Sequence, residues 1–399
     1  MKKISVILIG IVTIAIGILS IPKENKQVLI EEELNDENTS LAFYIEQENG
    51  NYEESSSLPN TGYTLDTERS ICTNNTTPVW EDDRLYLDNL QNRGTSCYLY
   101  FKIYEPTAGE QILENYTTQL TRDDFSVTVT NTTTGTIYYE DTSKGRTYYF
   151  AGNPTDNWVS FGGFYWRIIR INEDGTLRLI YQGTVANTIG AQIQASAFNS
   201  TYTDNMYAGY MYENNQVHGL TSNSTIKEVL DTWYQNNLIE VADKIDKNVG
   251  FCGDRTPTSG TGLGASYTEY AAYNRLYINK LPIFECQNSS DLYTAGGSDQ
   301  GNKAQTYPIG LITADEVAYA GGVYGINNQS FYLYTNQDYW TMTPYQYNND
   351  GVYVFSMWSG GNLTAGWVNR VYGVRPVINL KADVTISGSG TTTDPYVVN

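Results

Sequence analysis

The sequence predicts a β-rich α+β protein, in which a small β-domain precedes a larger domain of antiparallel sheets with two or three helices. The chain has 399 residues, which is enough for two or three domains. It contains 35 tyrosines and is only 17% charged, and its Tyr, Thr, Asn and Gly content favours strands joined by turns. Apolar and polar residues alternate in many segments, whereas helical spacing occurs in a few short ones.

The N-terminal segment, residues 1–21, is predicted to enter or cross a membrane. Lys2 and Lys3 precede an apolar run from Ile4 to Ile21, which as a helix would extend about 27 Å, enough for a bilayer core. The lysines predict a single-pass anchor with the rest of the chain outside the cytoplasm. A cleaved signal peptide is the alternative, and the protein would then be secreted. Residues 22–40 form an acidic linker.

Residues 41–104 are predicted to form the small β-domain. The segment Leu41–Gln47 alternates apolar and polar residues, and Ser96–Glu105 is a strong strand candidate. A domain of this size has too small a core to be very stable without a cross-link such as a disulfide bond.

The four cysteines allow three disulfide pairings. Proximity in the sequence favours Cys72 with Cys97 and Cys252 with Cys286, and each bridge would stabilise its domain by roughly 3 kcal/mol in an oxidising compartment. Reduced, unpaired thiols are the alternative.

Residues 105–135 are interpreted as a connector that contains a short helix, and residues 136–399 as the main domain. The main domain begins with a hairpin, because the strands 166–171 and 176–181 enclose Asn172–Gly175, whose Asp-Gly pair supplies the positive φ of a tight turn.

Three helices are predicted within the main domain. The first begins after a cap at Asn223 or Ser224 and carries an apolar stripe. The second is expected to begin at Ser266–Glu269, which has the pattern of a capping box, and to run towards Asn279. The third begins at Thr313, with Glu316 completing its capping box.

Five segments of the main domain occur in a recognisable order: FGGFYWRIIRI, STIKEVLDTWYQNNL, YPIGLITADEVAYAGG, DYWTMTP and GVRPVINLK. Their order resembles a bacterial extracytoplasmic domain family of unknown function. The fold of that family is thought to be similar to the C-type-lectin-like fold of the formylglycine-generating, sulfatase-modifying enzymes. The resemblance covers about residues 136–385 and implies a C-type-lectin-like main domain. The segment around Cys72 and Cys97 similarly resembles a two-cysteine module of gut Firmicutes surface proteins.

The chain departs from the resemblance in its chemistry. No cysteine follows Cys286, whereas the enzymes of that fold use paired cysteines near the C-terminal end, so formylglycine formation is not expected. The Glu-Pro-Asn, Gln-Pro-Asp and Trp-Asn-Asp sequences of calcium-dependent lectins do not occur. No cofactor and no metal are predicted.

The stretch Tyr339–Lys381 is the predicted working face, because its Trp and Tyr residues are interspersed with Asn, Gly and Ser. We predict ligand contact for polar and aromatic residues of its loops and turns, namely Tyr345, Tyr347, Asn349, Asp350, Trp358, Asn362, Trp367 and Arg370. Packing in the core is the alternative for each aromatic residue. Trp166 and Arg375 are interpreted as structural.

These observations predict a cell-surface protein that binds a protein or glycan ligand, or adheres, rather than one that makes or breaks bonds. The net charge of −20 argues against nucleic acid as a partner. No catalytic residue is predicted, and His218, the sole histidine, is expected to be a surface side chain. An extracytoplasmic enzyme acting on cell-wall or host glycans is the alternative, and a passive structural protein is a third class.

Overall fold

The computed structural model describes residues 40–59, 61–81, 83–90, 94–187, 189–296 and 300–398, together with the backbone of two short strands before residue 40. The chain divides into two compact units, Met1–Glu105 and Pro106–Asn399.

The predicted membrane segment 1–21 and acidic linker 22–40 lie outside the described residues, apart from Ser40 and the backbone of Lys3–Ile7 and Ala15–Ile18. In the part of the chain that the structure describes, no helix is both long enough and apolar enough to span a membrane. The membrane anchor therefore stays a prediction.

The described residues of the first unit form two sheets, in which most neighbouring strands are antiparallel. Its strands are β1 Lys3–Ile7, β2 Ala15–Ile18, β3 Ser40–Glu46, β4 Tyr52–Ser55, β5 Tyr63–Leu65, β6 Ile71–Cys72, β7 Thr77–Glu81, β8 Arg84–Asp88 and β9 Ser96–Ile103. One sheet has the order β2-β1-β8-β7; the other has the order β4-β3-β9-β5, with β6 also paired to β9. The small core between these strands includes Phe43, Leu99 and Phe101, and all three are nearly inaccessible to solvent.

The disulfide of this unit joins Cys72 to Cys97, which lie directly opposite one another on β6 and β9. It therefore staples two neighbouring strands around a core that contains few large side chains. This is the pairing that proximity in the sequence favours.

Where the structure describes it, the second unit contains three α-helices, α1 Ala108–Leu113, α2 Thr225–Asn237 and α3 Ala314–Tyr319. Short 3-10 helices cover Asn205–Ala208, Ile239–Lys244 and Ser289–Asp291, and a π-helix covers Tyr273–Asn279. The strands of this unit are β10 Thr118–Leu120, β11 Thr132–Thr133, β12 Thr136–Thr142, β13 Gly145–Tyr149, β14 Asn153–Pro154, β15 Trp158–Phe161, β16 Phe164–Ile171, β17 Leu177–Gly183, β18 Gln194–Ser196, β19 Met211–Tyr212, β20 Ser222–Asn223, β21 Phe251–Cys252, β22 Pro257–Gly260, β23 Thr268–Tyr270, β24 Leu292–Tyr293, β25 Tyr339–Asn348, β26 Gly351–Met357, β27 Leu363–Trp367, β28 Tyr372–Val374, β29 Val377–Leu380, β30 Ile386–Ser387 and β31 Tyr396–Val398.

Two large sheets organise this unit. The first has the order β10-β12-β13-β16-β15-β31-β30, with β17 and β29 continuing from β16; the second has the order β18-β28-β25-β23-β22, with β26 and β27 continuing from β25. Because a few short helices accompany mostly antiparallel strands, the fold is a β-rich α+β fold. One hydrophobic core joins the elements and includes Trp166 and Trp340, both with no exposed surface.

Residues 105–135, predicted as a connector, pack as part of the second unit from Pro106 onward. Helix α1 begins at the N-cap Thr107, and its residues Ala108 and Ile112 are fully buried in the main core. The segment is therefore not a separate spacer, because its helix contributes apolar surface to the core.

Several local predictions are confirmed. Strands β16 and β17 form the predicted antiparallel hairpin, and Gly175 has φ +80°. Ser224 caps α2 by accepting a hydrogen bond from the Lys227 backbone N–H. The capping box of α3 is present, with Thr313 and Glu316 bonded reciprocally.

The helix predicted to begin at Ser266–Glu269 is wrong in its first part. Thr268 and Glu269 lie in β23 and pair with Tyr347 and Gln346 of β25, so strand pairing prevails over the local capping pattern. Helical structure begins only at Ala271 and continues as the π-helix Tyr273–Asn279, which has no side-chain cap.

Candidate functional site

The predicted working face is built on the antiparallel strands β25, β26 and β27. Tyr353 of β26 pairs with Trp367 of β27, whereas Met357, at the other end of β26, pairs with Leu363. Trp358 therefore lies at one end of this hairpin and Trp367 at the other. Trp367 does not flank the turn 359–362, because four strand residues separate it from that turn.

At the turn end of the hairpin, Trp358 is the most exposed tryptophan of the stretch, with 50% of its surface accessible. Asn362 is buried nearby and donates its Nδ2 hydrogen bond to Asn327 Oδ1 at 2.9 Å. Asn362 Oδ1 has no hydrogen-bond partner among the described residues. An indole and a carboxamide thus lie beside each other at this turn.

At the opposite end, Trp367 is half-buried between Tyr202 and Tyr353, with ring centroids 6.2 Å and 5.8 Å away. The exposed guanidinium of Arg370 lies 5.2 Å from the centroid of the Trp367 ring. Asn349 and Asp350 are exposed in the β25–β26 turn at the same end. The predicted site residues therefore do not form one surface.

Tyr345 is buried in a cluster of tyrosines that the sequence analysis did not identify. Its ring lies 4.9 Å from Tyr273 and 5.6 Å from Tyr324, and the Tyr324 and Tyr345 hydroxyls are 3.1 Å apart. Burial, followed by the hydrogen bond with Tyr324, raises the pKa of Tyr345. Tyr277 packs on Tyr324 at 4.7 Å and is 39% exposed, so the cluster reaches the surface there.

Lys280 follows the π-helix with a left-handed φ of 56° and extends over this cluster. Its Nζ lies 5.7 Å from the Tyr277 centroid and 5.6 Å from the Tyr324 centroid. Burial lowers the pKa of Lys280. The ammonium group therefore contacts two π faces at the edge of the cluster.

The segment Val323–Asn328 connects the tyrosine cluster to Trp358. The Gly325 N–H donates to Leu363 O, and the Asn328 N–H donates to Gly361 O at 3.1 Å. Ile326 lies on this segment and is 46% exposed. We use the name aromatic face for the surface formed by Tyr277, Tyr324, Ile326 and Trp358, with Lys280 at its edge.

The other predicted residues have internal roles. Tyr347 is buried and donates its hydroxyl hydrogen bond to Thr203 O. Trp166 is fully buried and donates from Nε1 to Phe161 O at 3.0 Å. Arg375 is buried against the ring of Tyr339 and donates to backbone carbonyls and to Gln182 Oε1 at 2.8 Å.

His218, expected to be a surface side chain, is only partly exposed and has buried partners. It is 28% exposed, and its Nδ1 lies 3.0 Å from Oδ2 of the fully buried Asp291. The same carboxylate receives the Arg255 guanidinium at 2.8 Å. His218 Nε2 faces the Asn288 amide at 3.2 Å, so its contacts are those of a structural network rather than of a base beside a nucleophile.

A charged cavity of about 500 Å³ lies elsewhere in the second unit, and the sequence analysis did not anticipate it. It is lined by Cys252 and Cys286, which form the second disulfide, and by Lys144, Arg170, Asn172, Glu173, Asp174, Arg178, Glu285 and Glu316 among others. The nearly inaccessible carboxylate of Glu316 lies 2.5 Å from Arg178 Nε and 3.3 Å from Arg170 Nε. Two guanidinium groups therefore share one carboxylate in the wall.

The remaining carboxylates of the cavity are held by neighbouring groups. The Ser143 backbone N–H donates to Glu285 at 2.6 Å, and this bond keeps the pKa of Glu285 below its ordinary value. Burial acts to raise the pKa of Glu173, but hydrogen bonds and the charge of Arg170 outweigh it and lower that pKa. Asp174 accepts from the backbone and the hydroxyl of Thr176.

Comparisons with protein-family models, with curated proteins and with solved structures find no match to this chain. The resemblance to a C-type-lectin-like family accordingly stays a prediction.

Proposed function

We propose that the protein is an extracytoplasmic binding protein that recognises a glycan, such as a host, mucosal or neighbouring-cell glycoprotein, through the aromatic face. The observation that carries the proposal is the exposure of the Trp358 indole beside the Asn327–Asn362 amide pair. The C-type-lectin-like fold of the main domain belongs to the same proposal, and the β-rich α+β architecture is compatible with it.

The chemistry of the aromatic face suits a sugar. The apolar face of a pyranose packs on an indole or phenol ring, and its hydroxyl groups exchange hydrogen bonds with carboxamides. Asn362 Oδ1 lacks a partner among the described residues but is buried, so a sugar hydroxyl would reach it only after the turn opened. A rigid aromatic anchor beside polar groups is also typical of recognition surfaces in general.

The two disulfides support a location outside the cytoplasm, because such bonds persist in oxidising compartments. Together with the predicted N-terminal anchor or signal segment, they favour display at the cell surface or secretion.

A glycan-cleaving enzyme, the alternative function, is less well supported by the charged cavity. A general acid needs a carboxyl group whose pKa is raised towards neutrality. The pKa values of Glu173 and Glu285 are instead lowered. These groups therefore stay ionised, which suits electrostatic binding better than proton donation.

A glycan and mucin array probed with the full-length protein tests the proposal. We expect Trp358→Ala to weaken binding about tenfold or more, because a lost aromatic stack of about 1.4 kcal/mol corresponds to that factor. Trp367→Ala is the matched control, since it removes a half-buried tryptophan at the far end of the same hairpin, and it should leave binding unchanged. Equal binding by the unchanged protein and by Trp358→Ala, or binding to no glycan, would refute the proposal.

A further inference from the structure

The cavity between Arg170 and Glu285 has the size of a small-molecule site. Its volume of about 500 Å³ lies within the usual range for ligand pockets. Its wall contains three cations, Lys144, Arg170 and Arg178, against four carboxylates. A ligand that carries charge of only one sign would be repelled by the wall groups of the same sign. A ligand that carries a negative and a positive group could pair with the cations and with the carboxylates of the wall.

Arg170 is the cation that has capacity to bind a ligand. Its Nε shares the Glu316 carboxylate with Arg178, so Glu316 alone does not neutralise both guanidinium groups, and the charge of Arg170 also acts on Glu173. Among the described residues, none accepts a hydrogen bond from the two Nη groups of Arg170, and its side chain is 12% exposed. A planar fork of N–H donors matches the two oxygens of a carboxylate.

Acceptors for a positive group occur in the same cavity. Glu173 and Glu285 are ionised at neutral pH, since each has a lowered pKa. Asn172 also lines the cavity, and its buried Oδ1 has no hydrogen-bond partner among the described residues. An unpaired buried acceptor is costly, so a donor on a ligand would relieve it.

We propose that this cavity binds a small zwitterion, an amino acid or a dipeptide, whose carboxylate lies on the Arg170 fork and whose ammonium group faces Glu173 and Glu285. The Cys252–Cys286 disulfide holds two segments of the wall together. This site is separate from the aromatic face and does not depend on glycan recognition.

Isothermal titration of the full-length protein tests the proposal with a panel of the common amino acids and alanyl-alanine. N-acetyl-alanyl-alanine and alanyl-alanine amide serve as analogues that lack one charge each. We expect at least one zwitterion to bind with Kd near or below about 1 mM, and each singly charged analogue of a bound dipeptide to bind about tenfold more weakly. Absence of binding by every zwitterion, or binding of either analogue as tight as that of the parent dipeptide, overturns the proposal.

Two variants test separately the side chain proposed to bind the carboxylate and one proposed to bind the ammonium group. Arg170→Lys keeps the positive charge but removes the fork, and it should weaken zwitterion binding about tenfold. Glu173→Gln should weaken binding of the zwitterion but not of the N-acetyl analogue, because that analogue has no ammonium group to interact with Glu173. Thermal unfolding checks that both variants fold. Trp358→Ala should bind the zwitterion like the unchanged protein, so failure of the glycan proposal is distinguishable from failure of this one.

Discussion

Replacement of Glu316 by glutamine should destabilise the second unit far more than loss of the helix cap to which Glu316 also contributes. One oxygen, Oε2, accepts the Thr313 backbone N–H at 2.9 Å, and a glutamine oxygen can still do so. The other, Oε1, lies 2.5 Å from Arg178 Nε and 3.3 Å from Arg170 Nε. Glutamine would place an uncharged amide against the buried guanidinium group of Arg178 and the partly exposed one of Arg170.

Glu316→Gln should lower the free energy of unfolding by about 3–5 kcal/mol, the usual cost of removing one partner from a buried ion pair. We expect this large decrease in stability because the side chain of Arg178 is only 1% exposed. Burial already lowers the pKa of Arg178 to about 10, and the charge of Glu316 opposes that shift. Thr313→Val removes only the side-chain cap of α3 and should cost about 1 kcal/mol.

Urea unfolding monitored by tryptophan fluorescence measures both losses, since six of the seven tryptophans lie in the second unit. In a double-mutant cycle with Arg178→Met, the loss caused by Glu316→Gln should shrink, because the charge left uncompensated is then removed. A loss from Glu316→Gln no larger than that from Thr313→Val would refute the assignment of Glu316 as the counter-ion of this pair.

Three further predictions follow from single features. Serine at both Cys252 and Cys286 should lower the free energy of unfolding by about 4 kcal/mol, because the bridge closes a 34-residue separation; an unchanged urea midpoint would contradict this. Gly175→Ala should lower Tm, because φ is +80° and the new Cβ would lie 2.5 Å from the N-cap hydroxyl of α1, and an equal Tm would show that the turn relaxes freely. Burial acts to raise the pKa of Asp291, but the adjacent imidazole and guanidinium outweigh it and hold that pKa below its ordinary value. The stability that Asp291 contributes relative to Asp291→Asn should therefore be complete above about pH 4 and decrease as the pH falls through the lowered folded-state pKa; a difference independent of pH would count against this.

The local sequence was sufficient to predict turns and helix caps, because residues close together in the chain determine their conformation. The hairpin at Gly175 and the caps at Ser224 and Thr313 depend on side chains within a few residues of the backbone groups that they satisfy. Such contacts carry little loop-closure entropy, so their residue patterns are informative.

Local patterns gave a wrong prediction where a strand distant in the sequence forms hydrogen bonds with the same backbone. Ser266–Glu269 has the residues of a capping box, yet β25 offers a ladder of backbone hydrogen bonds to Thr268 and Glu269. A pairing partner far along the chain decided this conformation.

The candidate sites depended still more on long-range contacts. The sequence predicts ligand contact at Trp358 and Asn362 because they lie at a Gly-containing turn, and the structure places both at the turn end of the hairpin, where the Trp358 N–H donates to Asn362 O. Tyr277 and Tyr324 were missed, since only packing of the π-helix against the segment Val323–Asn328 brings their rings within 4.7 Å.

What the sequence by itself determined is the β-rich α+β character, the main turns and caps, and the preferred cysteine pairs, because each follows from composition or from short separations along the chain. Only the tertiary structure decided which side chains share a surface or a cavity. Lys144 and Glu316 are 172 positions apart yet line one cavity, and no local pattern encodes that proximity. It results from the burial of one hydrophobic core, which aligns the sheets and thereby brings their polar edges together.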